Sequence, residues 1–263
     1  MNRIDKKFKE LKKQGKKAFI AFLTCGYPNI ATTEKLVLGL DKSGVSLIEL
    51  GVPFSDPIAD GPIIQESSNK ALKNHITLND VLNLVKRLRR KTELPLCAMT
   101  YYNPVFSFGE ENFIRKAKDA GLDGLIIPDL PPEEAGSLFK ICRRHGVHLI
   151  LFLAPTTSKE RVKSIARKAR GFIYYVSLTG VTGARKFLAA DLLTNLRHIK
   201  RMTKVPVCAG FGISRSEHIK EVFKVADGVI VGSAIIEKIK QNIGRRDLVI
   251  KVSRFVRGLT DVS

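Results

Sequence analysis

Short apolar runs alternate with longer stretches of helical period along nearly the whole chain. The runs predict strands over 18–24, 47–50, 96–101, 124–127, 147–153, 172–177, 205–209 and 228–231. Between them, apolar positions three and four apart predict helices over 31–43, 61–73, 78–90, 110–119, 132–144, 158–169, 189–201, 214–223 and 234–240. A closing helix over 247–257 sets Leu248, Val252, Phe255 and Val256 on one face. An opening helix over 3–14 carries Ile4, Phe8 and Leu11 on a narrow stripe, with lysines elsewhere. The strands are continuously apolar rather than alternating, as a parallel sheet covered on both faces requires. Eight strand–helix units on 263 residues match an α/β (β/α)8 TIM barrel with an extra N-terminal helix. A doubly wound open sheet is the competing arrangement. With no linker, low-complexity stretch or shift in composition, residues 1–263 are expected to form a single domain.

Within that frame one stretch stands out, Glu49-Leu50-Gly51-Val52-Pro53-Phe54-Ser55-Asp56-Pro57-Ile58-Ala59-Asp60-Gly61-Pro62. Strand side chains alternate between faces, so Glu49 shares the face of Leu47. If Leu47 faces the core, Glu49 does too. An inward carboxylate is costly unless it is paired or protonated. The segment that follows is too rich in proline and glycine for helix or central strand. It returns Asp56 and Asp60 towards the mouth of the strand. One buried carboxyl and one loop carboxyl suit two-group acid/base chemistry.

A second signal lies late in the chain. Strand six runs into Gly180-Val181-Thr182-Gly183, strand seven into Gly210-Phe211-Gly212-Ile213-Ser214, and strand eight into Gly232-Ser233-Ala234. Glycines admit an anion close to backbone N–H groups, and helix N-termini add a favourable dipole. Barrels often hold phosphate at the loops after strands seven and eight. The dinucleotide fingerprint is incomplete here, because position 215 is Arg rather than glycine.

Composition changes the picture only at the charge. Hydrophobic content of 44% and a mean hydropathy of −0.01 suit a soluble globular protein with no membrane span. The net charge of +20 invites a nucleic-acid reading. The basic residues are spread over the polar faces of the predicted helices, however, without interleaved stacking aromatics. No nucleic-acid or membrane partner is therefore expected, while attraction of a small anionic substrate stays open. Cys25, Cys97, Cys142 and Cys208 are far apart, and residues 1–6 run straight into a charged helix. Both features lead to the expectation of a reduced, cytoplasmic protein.

Absent groups narrow the chemistry. The predicted strands carry no lysine for a Schiff base. The histidines lie away from the strand C-termini, and a metal site is not expected. What remains is carboxylate acid/base work on a phosphorylated substrate.

The stretch from Glu49 to Pro62, together with Tyr101-Tyr102-Asn103-Pro104, Asp129-Leu130-Pro131-Pro132-Glu133-Glu134, 180–185 and 210–214, resembles the tryptophan synthase alpha chain family over essentially the whole length. The resemblance implies a lyase of tryptophan biosynthesis that splits indole-3-glycerol phosphate into indole and glyceraldehyde 3-phosphate. It implies a beta-chain partner in an alpha2-beta2 tetramer, with pyridoxal phosphate in that partner and no cofactor in this chain. It carries over Glu49 as general acid/base and Asp60 as the acceptor for the indole N–H. It also implies Phe22, Thr182, Gly183 and Phe211 as substrate contacts, and Gly183, Gly212, Gly232 and Ser233 as phosphate ligands. Thr182 and Gly183 would close over bound substrate. Of Tyr174 and Tyr175 only one can face inward, and alignment through Gly183 favours Tyr174. Tyr27 stands where the family usually has Asp, and the strongly basic balance is unusual for the family.

Overall fold

The computed structural model describes residues 1–176, 190–210 and 215–261. Eight parallel strands close into a barrel in sequence order: β1 (Ala18–Thr24), β2 (Leu47–Gly51), β3 (Leu96–Met99), β4 (Gly124–Ile126), β5 (His148–Leu153), β6 (Ile173–Val176), β7 (Val207–Gly210) and β8 (Gly228–Val231). The pairing of β1 with β8, from Ala18 opposite Gly228 to Ala21 opposite Val231, closes the cylinder and excludes the open sheet. Helices α1 (Arg3–Lys13), α2 (Ile30–Asp41), α3 (Pro62–Lys73), α4 (Leu78–Arg89), α5 (Tyr102–Phe108), α6 (Glu110–Ala120), α7 (Gly136–His145), α8 (Lys159–Lys168), α9 (Ala190–Met202), α10 (Ser216–Phe223), α11 (Ser233–Lys240) and α12 (Leu248–Thr260) surround it.

Alternation along the strands divides the apolar side chains into two layers. Ile48, Leu50, Leu125 and Val229 face the helices in the outer core. Ala18, Ile20, Leu47, Ile126, Ile150 and Ile230 fill the cylinder itself. Leu47 is thus inward, and the register sets Glu49 beside Phe22 of β1 and Cys97 of β3.

The opening helix α1 plugs the end of the barrel at the strand N-termini. Its stripe explains why: Ile4 is fully buried in the inner layer, and the Phe8 ring lies 5.9 Å from that of Phe172. The polar side of this joint is organised by Asp123, whose side chain is only 4% exposed. Its carboxylate accepts from Arg3 at 3.2 Å, from Arg89 at 2.6 Å and from the Leu96 backbone N–H at 3.0 Å. Asn2 caps α1 through its side chain and also donates to the Asp123 carbonyl.

The charge has a direction in this fold. Lysine or arginine occupies the last turn of α3, α4, α6, α7, α8, α9, α10, α11 and α12. Acids occupy the first turn of α4, α6, α8 and α10. Helix dipoles favour this placement. A helix that leads back to the next strand has its C-terminus at the strand N-terminal end. Helix α3 instead ends beside the turn after β1, where Asn74 donates to the Gly26 and Pro28 carbonyls, and Lys240 of α11 pairs with Glu66 of α3. The basic last turns of α4, α6, α7, α8, α9, α10 and α12 therefore lie at the end opposite the strand C-termini.

Two segments differ from the sequence expectation. Strand three stops at Met99 instead of 101, and the chain then turns at Tyr101 into α5, which the apolar pattern did not predict. Pro104 sits in the first turn of α5, where its missing N–H has no intrahelical partner to lose. Helix α7 begins at Gly136 rather than 132, because the run after Pro131-Pro132 forms turns first.

Asp123→Ala leaves Arg89 and the Leu96 N–H buried without their acceptor. The expected loss is about 3–5 kcal/mol of stability, read as a lower urea midpoint at unchanged slope. An unchanged midpoint would show that α1 is held by its apolar stripe alone.

Candidate active site at the carboxyl ends of the strands

The barrel opens at its strand C-termini into a cavity of about 900 Å³, lined among others by Phe22, Asp60, Tyr174, Gly210, Gly232 and Ser233. Glu49 lies on the inward face of β2 beneath this mouth and is 0% exposed. Neither carboxyl oxygen has a hydrogen-bond partner among the described residues. Burial first, and then the charge of Asp60, raise its pKa to about 8. A proton on Glu49 at neutral pH is the direct consequence.

Asp60 sits half-buried at the end of the loop between β2 and α3. The loop is shaped locally: the Asp60 N–H donates to the Pro57 carbonyl, and Gln65 of α3 donates to the Asp60 carbonyl at 2.9 Å. Pro62 then starts α3 at a position where a proline costs no helix bond. Burial raises the Asp60 pKa to about 6, against the opposing effect of a hydrogen bond from Tyr101. The two carboxyls thus titrate apart, with Asp60 ionising first.

Phe22 and Tyr174 form two walls, and two glycines make room for them. A Cβ at Gly51 would lie 2.4 Å from the Phe22 ring, and one at Gly210 would lie 2.6 Å from the Tyr174 ring. Any larger residue at either position drives an aromatic ring out of place. Tyr174 packs on Phe152 at 4.9 Å, and burial together with Glu49 and Asp60 pushes its phenol pKa well up. Tyr175 faces the outer core instead, fully buried with Asn195 as hydrogen-bond partner.

Gly232 and Ser233 reach the cavity at the N-terminus of α11, which no side chain caps. Backbone N–H groups and a positive dipole end face that side of the cavity. Thr182, Gly183, Phe211 and Gly212 lie outside the described residues. Asp56 stays exposed on the loop, accepts from Ser55 at 2.6 Å and does not line the cavity.

His145 and His148 pair with Glu111 and Asp5 and are not among the residues that line the cavity. Among the described residues no group of three His, Cys, Asp or Glu could hold a metal ion. Nor is any helix among them long and apolar enough to cross a membrane. The four cysteines are free and buried, and burial pushes Cys25 and Cys142 up to about 12. They are poor nucleophiles in that state.

Sequence reasoning assigned no role to Tyr101. Its hydroxyl accepts from the Ala59 N–H at 3.0 Å and donates to Asp60 Oδ2 at 3.2 Å. The signal was present: parity carried on from Cys97 and Met99 puts position 101 on the inward face.

Comparison with known proteins gives one answer. The family model described as tryptophan synthase alpha chain matches residues 8–262. A tryptophan synthase alpha chain from Caldanaerobacter subterraneus is 47% identical over 262 residues, covering 100% of both chains. One from Citrifermentans bemidjiense is 48% identical over 259 residues, 98% of this chain and 97% of its own length. Among solved structures, the tryptophan synthase alpha subunit of Legionella pneumophila superposes with a TM-score of 0.93 at 38% identity, covering 100% of this chain and 98% of that one. A chain from the tryptophan synthase a2b2 complex of Pyrococcus furiosus gives a TM-score of 0.88 at 40% identity, covering 93% and 98%.

The raised pKa of Glu49 makes stability depend on pH. The native state keeps its proton up to about pH 8, whereas an unfolded glutamate releases it near 4.5. Between those values the unfolded state binds fewer protons, so this group lowers stability by up to about 1.4 kcal/mol per pH unit. Glu49→Gln removes that burden. Its melting temperature is expected to exceed that of the parent by a gap that widens from about pH 5 to about pH 8. A constant gap would mean that Glu49 titrates normally.

Proposed function

The chain belongs to the tryptophan synthase alpha chain family, and from that premise we propose that Glu49 and Asp60 carry its chemistry. The protein is a carbon–carbon lyase that cleaves indole-3-glycerol phosphate to indole and glyceraldehyde 3-phosphate, and it works with a tryptophan synthase beta chain. The observation that carries the residue assignment is the pair itself: a buried, unpartnered Glu49 and a half-buried Asp60, their pKa values set near 8 and near 6.

Cleavage of the bond between indole C3 and the glycerol chain needs a proton at C3 and the loss of one from the adjoining hydroxyl. Protonated Glu49 delivers the first. This leaves a cationic ring, and the Asp60 carboxylate accepts the ring N–H and balances the charge. The Glu49 carboxylate then takes the hydroxyl proton. The C–C bond electrons return to the ring, and indole and the aldehyde part. No net proton is consumed, and Glu49 ends as it began. Keeping the two pKa values apart is what lets one carboxyl donate while its neighbour stays anionic.

Phe22 and Tyr174 hold the indole ring between them by this reading. Gly232 and Ser233, at the N-terminus of α11, receive the phosphate, with Gly183 and Gly212 as further ligands. Phe211 and Thr182 complete the substrate contacts, and Thr182 with Gly183 closes the site against water. Indole passes to the beta chain in an alpha2-beta2 tetramer, and pyridoxal phosphate belongs to that partner. Residues 1–263 act as one domain, and the protein works in the cytoplasm.

Purified protein given indole-3-glycerol phosphate releases indole, faster with a beta chain present. Glu49→Gln and Asp60→Asn each lower turnover by about a hundredfold or more while the circular dichroism stays native. Full turnover in Glu49→Gln would overturn the assignment. The pH profile of kcat/KM is bell-shaped, falling below about 6 as Asp60 takes up a proton and above about 8 as Glu49 loses one. A single descending limb would leave one carboxyl without its role.

A further inference from the structure

We propose that Tyr101 is a positioning residue of this active site, holding the Asp60 carboxylate at the cavity through a hydroxyl that bridges the Ala59 N–H and Asp60 Oδ2. The proposal rests on the reading of Asp60 as a functional carboxylate and adds the group that sets its place.

The geometry is specific. Tyr101 Oη accepts one hydrogen bond from the loop backbone and donates one to the carboxylate next in sequence. Among the described residues it is the side chain that donates to Asp60. The hydroxyl therefore reads the loop at two consecutive residues, fixing both the backbone and the side chain. The ring is held independently of those bonds. It is 3% exposed and stacks on Phe54 of the same loop, with centroids 5.1 Å apart and planes 26° apart. The backbone behind it is anchored too, because the Tyr102 N–H donates to the Asp129 carboxylate at 2.9 Å and 3.2 Å. The turn after β4, the start of α5 and the loop after β2 are thus joined through two consecutive residues, Tyr101 and Tyr102.

The electrostatic consequence follows from the same bond. Burial pushes Asp60 towards its protonated form, and donation from Tyr101 opposes it. Among the described residues, Glu49 on β2 and Tyr174 on β6 are electrostatically coupled to Asp60, and Asp129 after β4 to Tyr101. Each is an acid, and none can donate a cationic charge to Asp60. Tyr101 stands apart from these in that it donates to the carboxylate. The residue does not line the cavity, so it acts through Asp60 rather than on substrate.

Tyr101→Phe tests this, since the ring and its stack on Phe54 are kept and only the hydroxyl is lost. The measurement is indole release across pH, for Tyr101→Phe and Asp60→Asn in parallel, with thermal melts for each. The expected result is a kcat lowered by about tenfold to about a hundredfold, with KM changed by less than about twofold. The acid limb of the profile also moves to higher pH. A normal profile and kcat in Tyr101→Phe, with Asp60→Asn impaired, would overturn the positioning role and leave the carboxyl reading intact. Full turnover in Asp60→Asn would overturn the carboxyl reading itself. A fall in kcat with the acid limb unmoved would show that the hydroxyl does not act through Asp60, which also overturns the proposal. If Tyr101→Phe melts far below the parent, the limb is read at a temperature where it is folded, and the same three outcomes decide.

Discussion

The structure turns on a carboxyl group that is denied water. Glu49 occupies an inward position on β2, where its strand neighbours are Phe22 and Cys97, and neither of its oxygens finds a partner among the described residues. A charge in that position is expensive. The cheaper state keeps the proton, and the barrel thereby stores an acid at neutral pH. A second carboxyl close enough to be felt, Asp60, makes ionisation of Glu49 costlier still. Function here grows from an unfavourable burial that the rest of the fold holds in place.

Holding it takes several distant features. The ring of strands must close for the inward face to be dry, and the β1–β8 pairing does that. The far end must be stoppered, and α1 does so with Ile4 and Phe8, tied down by Asp123. At the open end, Gly51 and Gly210 give up side chains so that Phe22 and Tyr174 can lie across the mouth. Part of the positive charge that dominates the composition sits in the last turns of the outer helices. It reads as helix-end electrostatics rather than as part of the chemistry.

Much of this was legible in the sequence because periodicity and parity are direct consequences of geometry. The count of strand–helix units foretold the cylinder, and the shared parity of Leu47 and Glu49 foretold the inward carboxyl. Parity also separated Tyr174 from Tyr175, which the structure sets on opposite faces. The loop after β2 was harder. Nothing in its prolines says where Asp60 ends up, since that depends on a hydroxyl from another strand end. Tyr101 was passed over because its role arises from contact between segments 41 residues apart. Helix α5 was missed for a related reason: a short helix with aromatic residues and a proline in its first turn has no clear helical period. The roles proposed for Thr182, Gly183, Phe211 and Gly212 rest on family resemblance, and these residues lie outside the described ones.

The central claim is that Glu49 keeps its proton at neutral pH while Asp60 does not. Carboxyl-carbon NMR on protein labelled at glutamate and aspartate side chains, assigned with the Glu49→Gln and Asp60→Asn variants and titrated from about pH 4 to about pH 10, measures both directly. The account predicts a glutamate resonance that moves near pH 8 and an aspartate resonance that moves near pH 6. A Glu49 resonance that titrates at the ordinary glutamate value, near 4.5, would contradict it.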